Sequence, residues 1–352
     1  MENIHYPLQD TLPEIGALQE VAEGVFWLRM PLPFALDHIN LWLLRDCFEG
    51  KEGWTIVDCG ISSDVTKQAW ENIFANHLQG LPVVRVLVTH MHPDHIGLAY
   101  WLCEKWQVPL WMSMTDFMMA QWLSTNEGGL KIGSIAGGGG AADHFYKHGL
   151  TDEADLEKIR ARADHYSSLV PLVPRRYRRV MDQEEVLIGN RSWLAISGYG
   201  HAPEHLAFAC VKDKIMISGD MMLPRISTNI SVHDLEPDGD PLGMFLDSIS
   251  KFEFLDTQTL VLPSHGKPFV GLHYRMKQLR EHHVDRLKET LDACKESTTA
   301  KGLLPILFHR KLDSHQMSFA MGEAIAHLNY LWRRDQIKRE IDSHGVLWFS
   351  QR

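Results

Sequence analysis

The chain has 352 residues, 45% of them apolar, enough to bury the core of one large α/β unit with or without a small appendage. A formal net charge of −10 and a pI near 6.0 exclude a surface built wholesale for nucleic acid. Five cysteines, Cys47, Cys59, Cys103, Cys210 and Cys294, are scattered without a CxxC pair, which excludes a disulfide framework or zinc knuckle and fits a reducing cytoplasm.

The first stretch, MENIHYPLQDTLPEIG, is acidic where a secretory leader is basic, and no run approaches the roughly 18–20 apolar residues of a membrane span. A cytoplasmic protein with no membrane partner is expected. From Gly24, the segments GVFWLRM, HINLWLLRD and GWTIVDCGI predict consecutive strands. Asp64 to His77 reads as a helix, and VVRVLV as a buried strand ending at Thr89. Pro93 suits the first turn of a helix whose apolar positions run from Ile96 to Trp106. QVPLWM is the next strand and Thr115 to Leu123 the next helix, an alternation that predicts layered α/β architecture. Here Trp111, Met112, Met114, Phe117, Met118, Met119 and Trp122 admit two readings, an apolar acyl tunnel or ordinary core.

Asn126 to Ala142 is too glycine-rich for one regular element and predicts a mobile loop. Ala141 and Ala142 stand where a phosphate-cradling loop has lysine and a hydroxyl. After a helix near Glu153 to Tyr166, PRRYRRV carries Arg175, Arg176, Arg178 and Arg179, either a clamp for a coenzyme phosphate or a solvated turn. This insertion, about 113–180, is expected to form a lid over the site. Strands resume at 185–188 and 193–196, followed by GYGHAPEH, AFACV, KIMISGD, a long loop, a helix and TLVLPSHG.

Gly271 to Ala293 is helical, and beyond Ser297 two helices and the hairpin KREIDSHGVLWFS follow the order of a winged helix. The apolar positions Phe319, Ile325, Leu328 and Leu331 predict one buried helix face, and the hairpin exposes aromatics for a neighbouring subunit to cover. The tail is therefore expected to be an interaction module supporting a homodimer, apart from the catalytic apparatus. Arg333, Arg334, Lys338 and Arg339 are its phosphate contacts if the substrate is RNA.

The chemistry concentrates at strand ends. THMHPDH places His90, His92, Asp94 and His95 directly after an apolar strand, and His201, Asp220 and His265 follow later strands, with Asp58 beside them. Polar groups so placed waste burial unless paired or bound. Imidazole with carboxylate suits zinc, iron or manganese, and the lack of cysteine in the set removes structural zinc.

THMHPDH, GHAPEH, ISGD, LPSHG and the DCG at Asp58 resemble, in order and spacing, the signature of metallo-β-lactamase-fold, glyoxalase-II-like hydrolases, over residues 20–285. The resemblance implies an αββα sandwich with a catalytic domain at 1–285, followed by a small winged-helix-like helical domain at 286–352. It implies two divalent metal ions, zinc foremost with iron or manganese as alternatives. His90, His92 and His201 would hold the first, Asp94, His95 and His265 the second, and Asp220 would bridge them. Asp94 and Asp58 are then the catalytic carboxylates, Asp58 by orienting a ligand. The metals activate a water, so no protein nucleophile is needed, and no GxSxG occurs.

Asp220 stands where lactam-cleaving members carry cysteine or serine, and Met221 to Leu223 where lactonases carry tyrosine, which disfavours both activities. ISTNISVH, DPLGMFLDSISKF and the pair His282 and His283 resemble a branch with ester and thioester hydrolase candidates and an endoribonuclease. Acidity favours a small-molecule ester or thioester, with ribonuclease as the alternative. Glu204 replaces the glycine of related motifs, a departure that bears on loop geometry.

Overall fold

The computed structural model describes residues 3–125, 138–309 and 312–352. Strands β1 (Gln19–Ala22), β2 (Val25–Pro31), β3 (His38–Phe48) and β4 (Lys51–Val57) form an antiparallel meander. Helix α1 (Asp64–Asn76), capped by the Ser63 side chain, leads to β5 (Val83–Leu87), parallel to β4. Helices α2 (Pro93–Ile96) and α3 (Ala99–Trp106) precede β6 (Leu110–Met112). After α4 (Met114–Ser124), α5 (Gly138–Lys147), α6 (Glu153–Arg160) and α7 (His165–Leu169), strand β7 (Tyr177–Arg179) forms the far edge of a seven-stranded sheet.

A second, six-stranded sheet comprises β8 (Glu185–Ile188), β9 (Arg191–Gly198), β10 (His205–Cys210), β11 (Ile215–Gly219) and, after α8 (Pro241–Ser250), β12 (Leu260–Pro263) and β13 (Phe269–Val270). Helices α9 (Leu272–Ala293), α10 (Ala300–Leu307) and α11 (Ser314–Arg333) and the hairpin of β14 (Ile337–Ile341) and β15 (Leu347–Gln351) follow.

Both sheets are buried on both faces, so their strands are apolar almost throughout, and the pleat sorts alternate residues to different layers. On β3, Trp42 and Leu44 point between the sheets and Leu41 and Leu43 toward helices; on β10, Leu206 and Phe208 face the first sheet and Ala207 and Ala209 the helices behind. Between the sheets lie Trp27, Trp42, Trp193, Phe208 and Leu262. Outside the first sheet pack α1, α3, α4 and α7; outside the second pack α5, α8, α9, α10 and α11. The result is the αββα sandwich with a C-terminal helical region.

A buried ion pair ties the sheets at one end. Arg85 on β5 donates to Asp46 on β3 at 2.7–2.8 Å, and both are almost fully buried. Asp46 also accepts from Thr55 Oγ1 at 2.5 Å and from the Gly189 amide of the second sheet at 2.7 Å, while Arg85 donates to the Leu187 carbonyl. The guanidinium lies between the rings of Phe48 and Trp111, 4.7 and 5.0 Å from their centroids.

Several local expectations change. The helix expected from Pro93 to Trp106 breaks at Gly97 and Leu98, because the Leu98 amide turns to the Gly60 carbonyl at 3.1 Å. A Cβ at Gly97 would lie 2.5 Å from Pro93 O and 2.7 Å from Ser62 N, so only glycine allows this close approach. Of the expected loop 126–142, residues 126–137 lie outside the described residues, and Gly138 onward opens α5. PRRYRRV contains the edge strand β7, where Arg178 stacks 4.3 Å from the Trp111 ring and pairs with Glu184. In the tail, Ile325, Leu328 and Leu331 are buried as expected, but Phe319 is 38% exposed, and the hairpin's Phe349 is buried in this chain's own core. The expected boundary at 285/286 falls within α9, which runs through both parts. No helix among the described residues is long and apolar enough to cross a membrane.

Replacing Asp46 with alanine leaves the Arg85 charge buried and unpaired. The expected loss is about 3–5 kcal/mol of unfolding free energy, measured by urea denaturation; a loss under about 1 kcal/mol would show that the pair behaves as a surface one.

Candidate metal centre

The C-terminal ends of β4, β5, β9, β11 and β12 meet at one edge of the sandwich and deliver Asp58, the THMHPDH loop, His201, Asp220 and His265. Two groups form: His90, His92, His201 and Asp220, and Asp94, His95 and His265, each with its donor atoms within 4.8 Å of one another. In the first, His90 Nε2 faces His92 Nδ1 at 2.9 Å and His201 Nε2 at 3.3 Å. In the second, His265 Nε2 lies 3.4 Å from Asp94, and His95 Nε2 lies 3.8 Å from it. Asp220 faces both, with Oδ2 at 3.2 Å from His201 and Oδ1 at 3.6 and 3.5 Å from His95 and His265.

Each ring is aimed from behind. The Nδ1–H groups of His201 and His265 donate to the carbonyls of Asn229 and His38, both at 2.8 Å, which turns each Nε2 inward. Burial, with the neighbouring histidines adding to it, lowers His90 well below its ordinary value and His92 to about 3. These rings are neutral, the form that ligates a cation. Ring nitrogens of three histidines converge within 3.3 Å, and His95 Nε2 and Asp220 Oδ1 are buried with no hydrogen-bond partner among the described residues. Such an arrangement is costly by itself and fits bound cations. Burial would raise Asp94, but His95 and His265 outweigh it and hold the carboxyl at about 2.

Asp58 is fully buried and does not line the cavity beside the centre. Its carboxylate accepts from the Thr89 amide and from His95 Nδ1, both at 2.8 Å. Asp58 is therefore a positioning residue and acts through His95, whereas Asp94 reaches the cavity wall. Its backbone sits at φ +63°, a strained region that asparagine and aspartate tolerate better than most residues.

Three further residues escape sequence reasoning. Asp116, in the first turn of α4, accepts from the Met91 amide at 2.8 Å and the Glu204 amide at 2.5 Å, so one carboxylate pins both histidine-bearing loops. It also explains the departure at Glu204, whose side chain accepts from Thr115 at 3.0 Å and closes the same joint. His205, inside GHAPEH, accepts from the Asp220 amide through Nε2 at 3.1 Å, and it fits because residue 219 is glycine: a Cβ there would lie 2.1 Å from that nitrogen. Arg275 on α9 holds the loop beyond Asp220 through the carbonyls of Leu223 and Ile226 at 2.6 and 2.7 Å. His205 alone had a signal, its motif; the partners of Asp116 lie 25 and 88 positions away.

Above the centre opens a cavity of about 940 Å³ with largely apolar walls. None of the seven tryptophan, methionine and phenylalanine residues of 111–122 lines it; Trp111, Met112 and Phe117 are core and Met114, Met118 and Trp122 are exposed. The walls are instead Leu32 and Phe34 before β3, Leu169 on α7, Leu223, and Phe308 and Phe319 of the tail. The tail is thus part of the catalytic cavity, contrary to the expectation of a separate module. The four arginines of PRRYRRV are absent from its lining.

Comparison with known proteins agrees with this geometry. Residues 35–265 match the metallo-beta-lactamase superfamily, and residues 287–352 match the metallo-beta-lactamase-like C-terminal domain. The chain belongs to the metallo-beta-lactamase superfamily, whose members use divalent metals, and it is a metal-dependent hydrolase. A beta-lactamase domain protein from Burkholderia ambifaria has a crystal structure similar at TM-score 0.92, with 53% identity, covering 99% of this chain and 98% of that one. The metallo-beta-lactamase family protein TTHA1429 from Thermus thermophilus is similar at TM-score 0.75 and 25% identity, covering 95% and 100%. The probable metallo-hydrolase YqjP of Bacillus subtilis (strain 168) is 21% identical over 331 residues, 90% of this chain and 94% of that protein.

Asp116→Ala is expected to weaken metal affinity by about 10–100-fold while leaving the ligands in place; competition with a chromophoric chelator measures it, and unchanged affinity would show that the loops hold without the joint. Proton release gives a second test. Burial alone would lower His95 and His265, but Asp58, Asp94 and Asp220 around His95, and Asp220 and Asp94 beside His265, outweigh it and raise both rings. In metal-free protein these rings carry protons that a cation displaces, so zinc affinity is expected to rise with pH through their titration and zinc addition at neutral pH to release protons. A pH-stat titration without release would contradict this.

Proposed function

We propose that the chain hydrolyses small-molecule esters or thioesters with an apolar acyl or alkyl part, at a site for two divalent cations, zinc foremost. The observation that carries the reading is Asp220, whose two oxygens face separate ligand groups at the floor of an apolar cavity. Bound there, two cations would supply the charge that acidifies a water and stabilises the anion formed on attack. His90, His92, His201 and Asp220 would hold one ion, and Asp94, His95 and His265, with Asp220, would hold the other. Asp94, ionised and on the cavity wall, accepts a hydrogen bond from the attacking water and orients it. The apolar wall residues bind the chain of the substrate and keep bulk water from the centre.

Little supports a ribonuclease. Arg334 pairs with Asp240 at 2.8 Å and Arg339 with Asp238 at 2.5 Å, while Arg333 donates to the Asp238 carbonyl, so three of the four cations expected on phosphates are engaged within the chain. The homodimer proposed with the hydrolase reading would cover Ile341 and Trp348, exposed on the hairpin.

A hydrolysis screen of acyl-coenzyme A thioesters, p-nitrophenyl esters, lactones, nitrocefin and single-stranded RNA, with zinc-, manganese- and iron-loaded protein, tests the reading. Ester or thioester turnover is expected, abolished by Asp220→Ala and by His265→Ala more severely than the roughly 10–100-fold that loss of an outer partner costs. Turnover confined to RNA would refute it.

A further inference from the structure

Helix α11 brings Phe319, Ala320 and Glu323 to the cavity, away from the motif loops. Of the two carboxylates the tail sets in this wall, Asp313 faces the charge of Arg162. Glu323 is mostly buried, and its carboxyl has no hydrogen-bond partner from the protein among the described residues. Its open side is the cavity.

Behind Glu323 the contact of α9 with α11 is a buried polar seam. His327 Nδ1 donates to the Glu323 carbonyl at 2.8 Å, and the His327 ring lies 5.6 Å from His283, itself 5.2 Å from His282. Neither nitrogen of His283, nor Nε2 of His327, has a protein partner. A wall meant only to hold an alkyl chain gains nothing from such a seam, since buried polar groups weaken it. Burial, with the neighbouring imidazoles and, for His327, Arg286 adding to it, takes His283 to about 3 and His327 to about 4, and burial lifts Glu323 to about 7 against the pull of Arg286. The imidazoles are thus neutral, and the cation is Arg286, held by Glu289 at 2.7 Å. Facing the cavity, this carboxyl suits a hydroxyl, which both donates to a carboxyl and accepts from it.

We infer that Glu323 is a specificity-determining residue that binds a neutral hydroxyl on the acyl or alkyl part of the substrate, while the ester group lies at the metal centre. The inference rests on the hydrolase reading and adds a second recognised feature to the substrate: a hydroxylated, otherwise apolar chain.

Calorimetry on the zinc-loaded full chain tests it with the acid products, comparing plain and ω-hydroxy acids from butanoic to decanoic length. At one length the hydroxy acid is expected to bind about tenfold more tightly than its plain counterpart, the worth of one good hydrogen bond. Glu323→Leu, or Glu323→Ala if that variant does not fold, is expected to remove the preference with zinc content unchanged. Glu323→Gln, which still donates and accepts, keeps most of it. A ratio near one at every length, or one that survives loss of the carboxyl, overturns the proposal. Turnover of the matching p-nitrophenyl esters is followed in parallel. Its absence in the parent counts against the hydrolase reading, while the binding ratio judges Glu323 separately.

Discussion

Imidazole nitrogens of His90, His92 and His201 meet within about 3.3 Å at a buried sheet edge. Three neutral rings cannot all satisfy one another's inward lone pairs, and burial denies them the water that would. The arrangement makes sense as one half of a bond whose other half is a cation, and much of the surrounding structure keeps the rings from turning away. Carbonyls of Asn229 and His38 hold His201 and His265 from behind, Asp58 holds His95, and Asp116 joins the two loops that carry the first group. These contacts hold the rings from outside the centre and limit the reorganisation that metal binding would demand.

That rigidity comes from the sandwich. Ligands at the ends of several strands keep their spacing only if the strands do, and strands buried on both faces between packed layers have little room to shift. The Asp46–Arg85 pair opposes sliding of one sheet over the other, because slip would separate a buried charge from its partners. Glycine at 97 and 219 admits the backbone of one layer, or a histidine ring, where any side chain would collide.

The run of strands and helices and the cluster of histidines and aspartates at strand ends were legible because both are written locally. Apolar runs such as VVRVLV end abruptly in polar clusters, and each sheet takes its strands in chain order. What escaped was made by partners distant in sequence. Nothing in SMTDF announces that Asp116 will meet residues 91 and 204. The methionine-rich helix has the composition of a tunnel, yet its place outside the first sheet makes it core and surface. The cavity wall is assembled from short pieces before β3, on α7, after β11 and on α11, each with an ordinary apolar pattern. The tail's helical period was visible, but periodicity marks a buried face without saying that its edge borders a catalytic space.

The division of labour between sheet edge and tail also sets what a substitution can disturb. Ligands at the strand ends depend on one another, so a substitution among them is felt by the whole centre. Phe319, Ala320 and Glu323 touch the cavity from a helix whose opposite side is anchored by Ile325, Leu328 and Leu331. Exchanges at those three positions would redraw the shape and polarity of the chamber while its reactive floor stays intact. A lineage built this way can acquire new substrates by drift in one helix, keeping old chemistry under a new roof.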